Sequence, residues 1–442
     1  MSVQMFHQIE NTSQFLQYQA ASLLVYQDVL SGEVGNAFLE LLKAIDKVQH
    51  SLEHDKKDYL YAYGRWFYAL AHKNKSWQDY LVQQILHADN PFTQQVQKFD
   101  FEDLSPALLA AAKNDLQALH CLYKFSRDHM EQWTQEVFPS SYSLVFWSQD
   151  TAIPADEFSL HRCDNWPAAL TDLVTQYRTW GTGLFAEYQA LQWHAGQLIG
   201  VAYPDLVRIN DLVGYADQRD QLVKNTEALL SGYPALHVLL YGSRGSGKSS
   251  FVKSLLTEYG KRGLRLVEVT KSELIHLPII VDQLRQIPNK FILFVDDLSF
   301  EEDEDTYKAL KVVLEGNLTA RPQNVVVYAT SNRRHLIREF FGDRPQPGSE
   351  DEVHGWDTVQ EKLSLSDRFG LTLTFIPADQ KLYLRIVHHL AQQAGLSLPP
   401  EDLEFQALQW ALQHNGRSGR TARQFIDFIQ ADLALCQPKP SA

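Results

Sequence analysis

The sequence predicts an α/β protein in three parts: an all-helical N-terminal region, a five-stranded parallel sheet wrapped by helices, and a small helical C-terminal domain. Three observations carry this reading. From about residue 36 to 189, apolar residues recur at three- and four-residue spacings, as in NAFLELLKAIDKVQ and KDYLYAYGRWFYALAH. After Pro204, short β-branched and aromatic runs alternate with helical stretches, the pattern of a parallel sheet with helical crossovers. From Asp379 the helical spacing returns in QKLYLRIVHHLAQQAG and LEFQALQWALQHNG.

Taken in order, the helical N-terminal domain is expected over residues 1–200. It shows no internal repeat that would make it a solenoid. Trp66, Phe67, Tyr68, Trp77 and Tyr80 fall at helical spacings and are expected in its core. Residues 151–164, with Pro154 and little periodicity, read as a loop, and 168–196 as a further helix. The α/β core is expected over 205–378, with strands at HVLLY (237–241), LRLVEVT (264–270), FILFVD (291–296), NVVVYAT (324–330) and LTLTFI (371–376). Residues 379–436 form the C-terminal helical domain, and 437–442 read as a disordered tail.

Composition narrows the function classes. The 442 residues exceed one ordinary hydrophobic core, and 45% hydrophobic with 12% aromatic content is that of a globular chain. A formal charge of −14 disfavours constitutive binding to a phosphate backbone. Cys121, Cys163 and Cys436 are far apart and form no CxxC pair, which suits a reduced compartment. No basic segment precedes an apolar N-terminal stretch, and no run approaches the roughly 20 apolar residues of a membrane span, so a cytoplasmic location is expected.

GSRGSGKS, residues 242–249, matches the phosphate-binding pattern G-x-x-x-x-G-K-[ST] and lies between the apolar strand HVLLY and the helical run SFVKSLLTEYG. Gly242, Gly245 and Gly247 allow a tight curl. The backbone of Ser243, Arg244, Gly245, Ser246 and Gly247 then turns successive N–H groups toward phosphate oxygens, and the helix N-terminus through Ser250 favours an anion. Lys248 is expected at the β- and γ-phosphates of ATP, with the Ser249 hydroxyl on a magnesium ion.

FILFVDDLSF supplies the second signal, an apolar strand ending in two carboxylates. Asp296 is the expected magnesium-shell residue, and Asp297 stands where a carboxylate polarises the attacking water, one methylene shorter than Glu. The acidic run Glu301, Glu302, Asp303, Glu304 and Asp305 reads as a solvated helix start.

With these motifs in place, residues 209–435 resemble the AAA+ ATPase superfamily. ATSNRRHL is similar to its sensor 1 motif, which implies that Asn332 senses the γ-phosphate. SLSDRFGLTLTF is similar to the box bearing an arginine finger, with Arg368 at the matching position. GRSGRTARQF resembles sensor 2, at Arg420 first or Arg423 second, and NDLVGYADQRDQL resembles the adenine-flanking box, at Gly214 and Tyr215. Together with VHGWDTVQEKLSLSDRFGL, these segments look like a group of bacterial AAA+ ATPases of unknown function. The resemblance implies ATP and Mg2+ as ligands, and a homo-oligomer, in ring form, that uses one subunit's Arg368 at another's site. A protein client would be selected by the N-terminal helical domain. Two other readings stay open: a nucleotide-dependent binding module with little hydrolysis, and a nucleic-acid loader, against which the net charge argues. Arg333 and Arg334 follow Asn332 without a fixed role. GDRPQPGSEDEVHGWDTVQEK (342–362) reads as a surface loop in which His354 has no second metal ligand at suitable spacing.

Overall fold

Helices whose apolar faces turn inward build the first compact unit of the chain, Met1–Glu187, and a β-sheet organises the second, Tyr188–Ala442. The computed structural model describes residues 12–50, 55–138, 144–147, 160–299, 305–315, 322–332, 365–414 and 416–436. The acidic run 301–304, Arg333, Arg334, the segment 342–362 with His354 and the tail 437–442 lie outside the described residues, as does most of the expected loop 151–164.

The first unit contains α1 (Ser13–Ala21), α2 (Glu33–His50), α3 (Asp55–Lys73), α4 (Trp77–Leu86), α5 (Pro91–Val96), α6 (Pro106–Tyr123), α7 (Arg127–Val137), α8 (Leu170–Trp180) and α9 (Gly183–Glu187). Side-chain caps start several of them: Ser76 accepts from the Asp79 N–H, and Asn90 accepts from those of Phe92 and Thr93 with Pro91 opening the helix. Phe38, Trp66, Trp77 and Phe125 form an aromatic centre, with the Phe38 and Trp77 rings stacked at 4.0 Å. Trp66, Trp77 and Tyr80 are buried as expected, but Tyr68 is 66% exposed. It lies two residues from Trp66, which places it about 200° around the helix, on the opposite face. Asp115 of α6 is wholly buried, and its carboxylate accepts the N–H groups of Leu24, Val25 and Tyr26 at 2.7–2.9 Å.

The helix expected over 168–196 stops early. Gly181, at φ 80°, ends α8. Beyond α9 the chain forms a hairpin, β1 (Ala190–His194) and β2 (Gln197–Gly200), which belongs to the sheet unit. ALQWH and QLIG alternate with period two, and Ala195 and Gly196, at φ 49° and 85°, supply the left-handed pair of a two-residue turn. The sheet therefore has seven strands and is mixed, not five-stranded and parallel.

The five expected strands are present as β3 (Val238–Gly242), β4 (Leu264–Glu268), β5 (Lys290–Val295), β6 (Val325–Ser331) and β7 (Leu371–Phe375), and the sheet order is β2-β1-β4-β5-β6-β3-β7. β1 pairs antiparallel with β2 and parallel with β4, and all the remaining pairs are parallel. β5 and β6 are apolar almost throughout because helices cover both faces. Helices α10 (Ala216–Leu230), α11 (Lys248–Tyr259), α12 (Leu277–Leu284) and α13 (Asp305–Glu315) accompany the sheet. The register fixes the site. Val295 pairs with Ala329, so Asp296 emerges beside Thr330, and Tyr241 pairs with Ser331, so the phosphate-loop motif begins beside Asn332.

The C-terminal helices α14 (Gln380–Gln393), α15 (Pro400–Gln413) and α16 (Gly419–Cys436) enclose a small core of Tyr383, Val387, Leu403, Ala407, Phe425 and Ile426. Asp379 caps α14 by accepting from the Leu382 N–H at 2.7 Å. Among the described residues no helix is long and apolar enough to cross a membrane.

Candidate functional site

β3 ends at Gly242, and residues 243–247 turn the chain into α11, which begins at Lys248. Gly242 is demanded by the neighbouring strand rather than by the curl of the loop. Its φ is 145°, and a Cβ there would lie 2.0 Å from the Phe375 carbonyl oxygen. The Ser243 N–H donates to that same oxygen at 3.0 Å, so Ser243 serves the sheet and does not line the cavity described below. Its carbonyl accepts the Ser246 hydroxyl at 2.9 Å.

Lys248 is 7% exposed. Its Nζ donates to the carbonyls of Gly242 at 3.1 Å and Ser243 at 2.8 Å and to Asn332 Oδ1 at 3.2 Å. Burial pulls its pKa below the ordinary lysine value, while the carboxylates of Asp296 and Asp297 act in the opposite sense. Ser249 Oγ donates to Asp296 Oδ1 at 2.6 Å, and Thr330 Oγ1 donates to the same oxygen at 2.5 Å. Asn332 Nδ2 donates to Asp297 Oδ1 at 2.5 Å, and Asp297 itself stands at φ 52°, in the left-handed region. The strand ends thus bring Lys248, Ser249, Asp296, Asp297 and Asn332 together in one bonded set. A hydroxyl and a carboxylate 2.6 Å apart are hard oxygen donors of the kind Mg2+ takes while retaining most of its water, so these residues fit that ion.

Above this set lies a cavity of about 620 Å³ lined by the loop residues 244–250, both carboxylates, Thr330 and Asn332. One wall is apolar, made by Leu212, Val213 and Phe251 of the core with Ile386 and Leu390 of α14. Arg420 and Arg423 both reach the cavity. The four cations Arg244, Lys248, Arg420 and Arg423 face the three carboxylates Asp211, Asp296 and Asp297, which leaves the cavity locally cationic in a chain of net charge −14. The Arg420 N–H donates to the Gly245 carbonyl at 3.3 Å, and a Cβ on Gly245 would meet Ser418 Oγ at 2.8 Å and Arg420 Cβ at 3.2 Å.

Besides Gly242 and Ser243, three further expected residues lie outside the cavity. Gly214 and Tyr215 do not line the cavity; Asp211, Leu212 and Val213 just before them do. Gly214 packs against Leu382, and the Tyr215 hydroxyl donates to the Ile376 carbonyl at 2.6 Å while its ring meets Phe375. Arg368 is also outside the cavity, where its Nε is paired with the Glu315 carboxylate of α13. Sequence reasoning missed Thr330, Ile386 and Leu390. A threonine in a β-branched strand carries no separate signal, and the two apolar residues were indistinguishable from helix core.

A protein-family profile described as "Protein of unknown function (DUF815)" matches residues 186–433, more than half of the chain. The chain belongs to that family. No curated protein matches the DUF815 chain. Among solved structures it is similar to the RuvB Holliday junction branch migration motor of Thermotoga maritima, at 15% identity and a TM-score of 0.36, over 52% of this chain and 65% of that one. It is also similar to the AMPPCP-bound replication initiator DnaA of Aquifex aeolicus, at 19% identity and a TM-score of 0.36, over 52% and 66% of the respective chains. A structure of DnaA with AMPPCP and single-stranded DNA matches at 20% identity and a TM-score of 0.35, over 52% and 65%. The DUF815 chain thus spans about two thirds of the length of each of these three structures.

Proposed function

We propose that this chain binds ATP with Mg2+ in the cavity above the phosphate loop and hydrolyses it, as an oligomeric switch acting on a protein client. The observation that supports this best is the bonded set itself: Lys248 against Asn332, and Ser249 against Asp296, at the adjoining ends of β3, β5 and β6. Open α/β sheets bind ligands at such carboxyl ends.

In this reading the N–H groups of residues 245–250 and the α11 N-terminus hold the phosphates, and the Lys248 ammonium exchanges its loop carbonyls for β- and γ-phosphate oxygens. Ser249 and Asp296 would hold a magnesium ion, whose charge would offset that on the transferred phosphoryl group. Asp297 accepts the proton of the attacking water, and Asn332 keeps that carboxylate aimed. Arg420 and Arg423 face the developing phosphate charge from the lid formed by α14–α16. The apolar wall of Leu212, Val213, Ile386 and Leu390 takes the flat faces of the base.

Arg368 lies outside its own chain's cavity, and in this reading it completes the site of a neighbouring copy. In that assembly its guanidinium would exchange the Glu315 carboxylate for a neighbour's γ-phosphate. The helical N-terminal unit selects the client.

Steady-state phosphate release by the wild type, Lys248→Ala and Asp297→Asn tests the reading. The wild type should turn over, Lys248→Ala should lose nucleotide binding and Asp297→Asn should bind but release phosphate slowly. Wild-type turnover no greater than that of Lys248→Ala, with binding retained, favours a nucleotide-dependent binding module instead, which the short, left-handed Asp297 supports. For assembly, a mixture of Arg368→Ala and Asp297→Asn chains should regain activity that neither has alone. A monomer by light scattering in every nucleotide state would count against it.

A further inference from the structure

We infer that Thr330 is a positioning residue, whose single hydroxyl sets both carboxylates of the site and thereby tunes the binding of the magnesium ion that accompanies ATP. The inference rests on the reading of the cavity as an ATP site. Thr330 sits near the end of β6 in the run VVVYAT and is 2% exposed. A hydroxyl so deeply buried needs partners, and helices and turns commonly offer a nearby backbone carbonyl. This one instead reaches across to the end of β5. Its Oγ1 donates to Asp296 Oδ1 at 2.5 Å and accepts the Asp297 N–H at 2.9 Å.

The direction of these bonds is forced. An amide N–H can only donate, so the one hydroxyl proton is left for the Asp296 carboxylate. Two consequences follow. Asp296 Oδ1 receives both Thr330 and Ser249, which leaves Oδ2 free of those bonds and available to the hydrated cation. Asp297 is held by its backbone in the φ 52° conformation that aims its short side chain at Asn332. With Ser249 engaged by a cation, Thr330 would still orient Asp296, the part an outer partner plays toward a metal ligand.

Valine has nearly the shape of threonine and suits a strand rich in valine, so Thr330→Val removes the hydroxyl and little else. The probe is a fluorescent ATP analogue titrated against each variant with and without Mg2+, alongside phosphate release. In Thr330→Val, binding without Mg2+ should stay within about twofold of wild type, while the Mg2+ concentration for half-maximal enhancement should rise about tenfold. kcat should fall by a similar factor with KM little changed, and Thr330→Ser should restore both. If Thr330→Val does not fold, Thr330→Ala is compared with Thr330→Ser in the same assay. Unchanged Mg2+ dependence and kcat in the hydroxyl-free variant overturn the assignment while leaving the ATP site intact. Thr330→Ser behaving as Thr330→Val overturns it in favour of a packing role. A wild type that binds no nucleotide overturns the proposed function and this assignment with it.

Discussion

Asn332 donates to Asp297 across 2.5 Å, so the end of β6 holds the carboxylate at the end of β5, while the carbonyl oxygen of the same amide receives Lys248 at 3.2 Å. One side chain therefore joins the residue proposed to grip phosphate and the residue proposed to activate water. Asn332→Ala cuts both bonds without adding bulk. Phosphate release should fall about 100-fold, within the range for a displaced general base, with nucleotide affinity within about threefold. Loss of affinity equal to the loss of kcat/KM would assign Asn332 to ground-state binding alone.

Gly242 and Gly196 both have positive φ but differ in what surrounds them. At Gly196 a Cβ meets nothing within 4 Å, so Gly196→Ala should cost only the left-handed penalty, about 1 kcal/mol. At Gly242 a Cβ would strike the Phe375 carbonyl, and Gly242→Ala should cost about 3 kcal/mol or more by forcing β3 from β7. Urea unfolding of the two variants measures the difference, and equal costs would refute the steric account.

Asp115 organises the turn after α1 by accepting three consecutive N–H groups from a fully buried position. Asp115→Ala orphans those donors and should destabilise the helical unit by about 3 kcal/mol, whereas Asp115→Asn, which keeps one acceptor oxygen, should cost less. Calorimetry of the full chain would register this as a lower transition for that unit. Wild-type melting in Asp115→Ala would show that water satisfies the donors.

Alkaline pH should weaken the sheet through Tyr328. Its phenol is fully buried, which raises its pKa to about 12 from about 10, while its hydrogen bonds with Thr226 and Asn225 act in the opposite sense. Above pH ~10 the unfolded chain loses this proton and the folded chain keeps it, so the folded state binds more protons and stability falls as pH rises toward about 12. Below pH ~10 the contribution is fully present. Denaturant unfolding between about pH 9 and 11 should therefore show a shallower decline in Tyr328→Phe than in wild type. Identical slopes would exclude the contribution.

Much of the sheet unit was legible because its chemistry is local in sequence. GSRGSGKS and FILFVDDLSF each combine an apolar strand with the residues that leave its end, so placing the strand places the site. Residues whose surroundings come from a distant segment were not legible in this way. Arg368 reads as a finger from its motif, yet its partner Glu315 lies 53 residues away and takes it out of its own cavity. Gly214 and Tyr215 follow a motif, but the approach of Leu382 and Ile376 determines what they touch. The hairpin β1–β2 was hidden for a different reason. QAL and QWHAG can be fitted to a helical spacing as well as to alternation, and only pairing with β4 decides between them.

The tie between Gly245 and Arg420 makes the lid and the phosphate loop mechanically one part. The Arg420 amide hangs from the Gly245 carbonyl, and there is no room for a side chain at 245, so the lid and the loop meet backbone to backbone. Opening the lid must either break that 3.3 Å backbone bond or carry the loop along with it, so under the proposed function the departure of nucleotide would be coupled to motion of the lid.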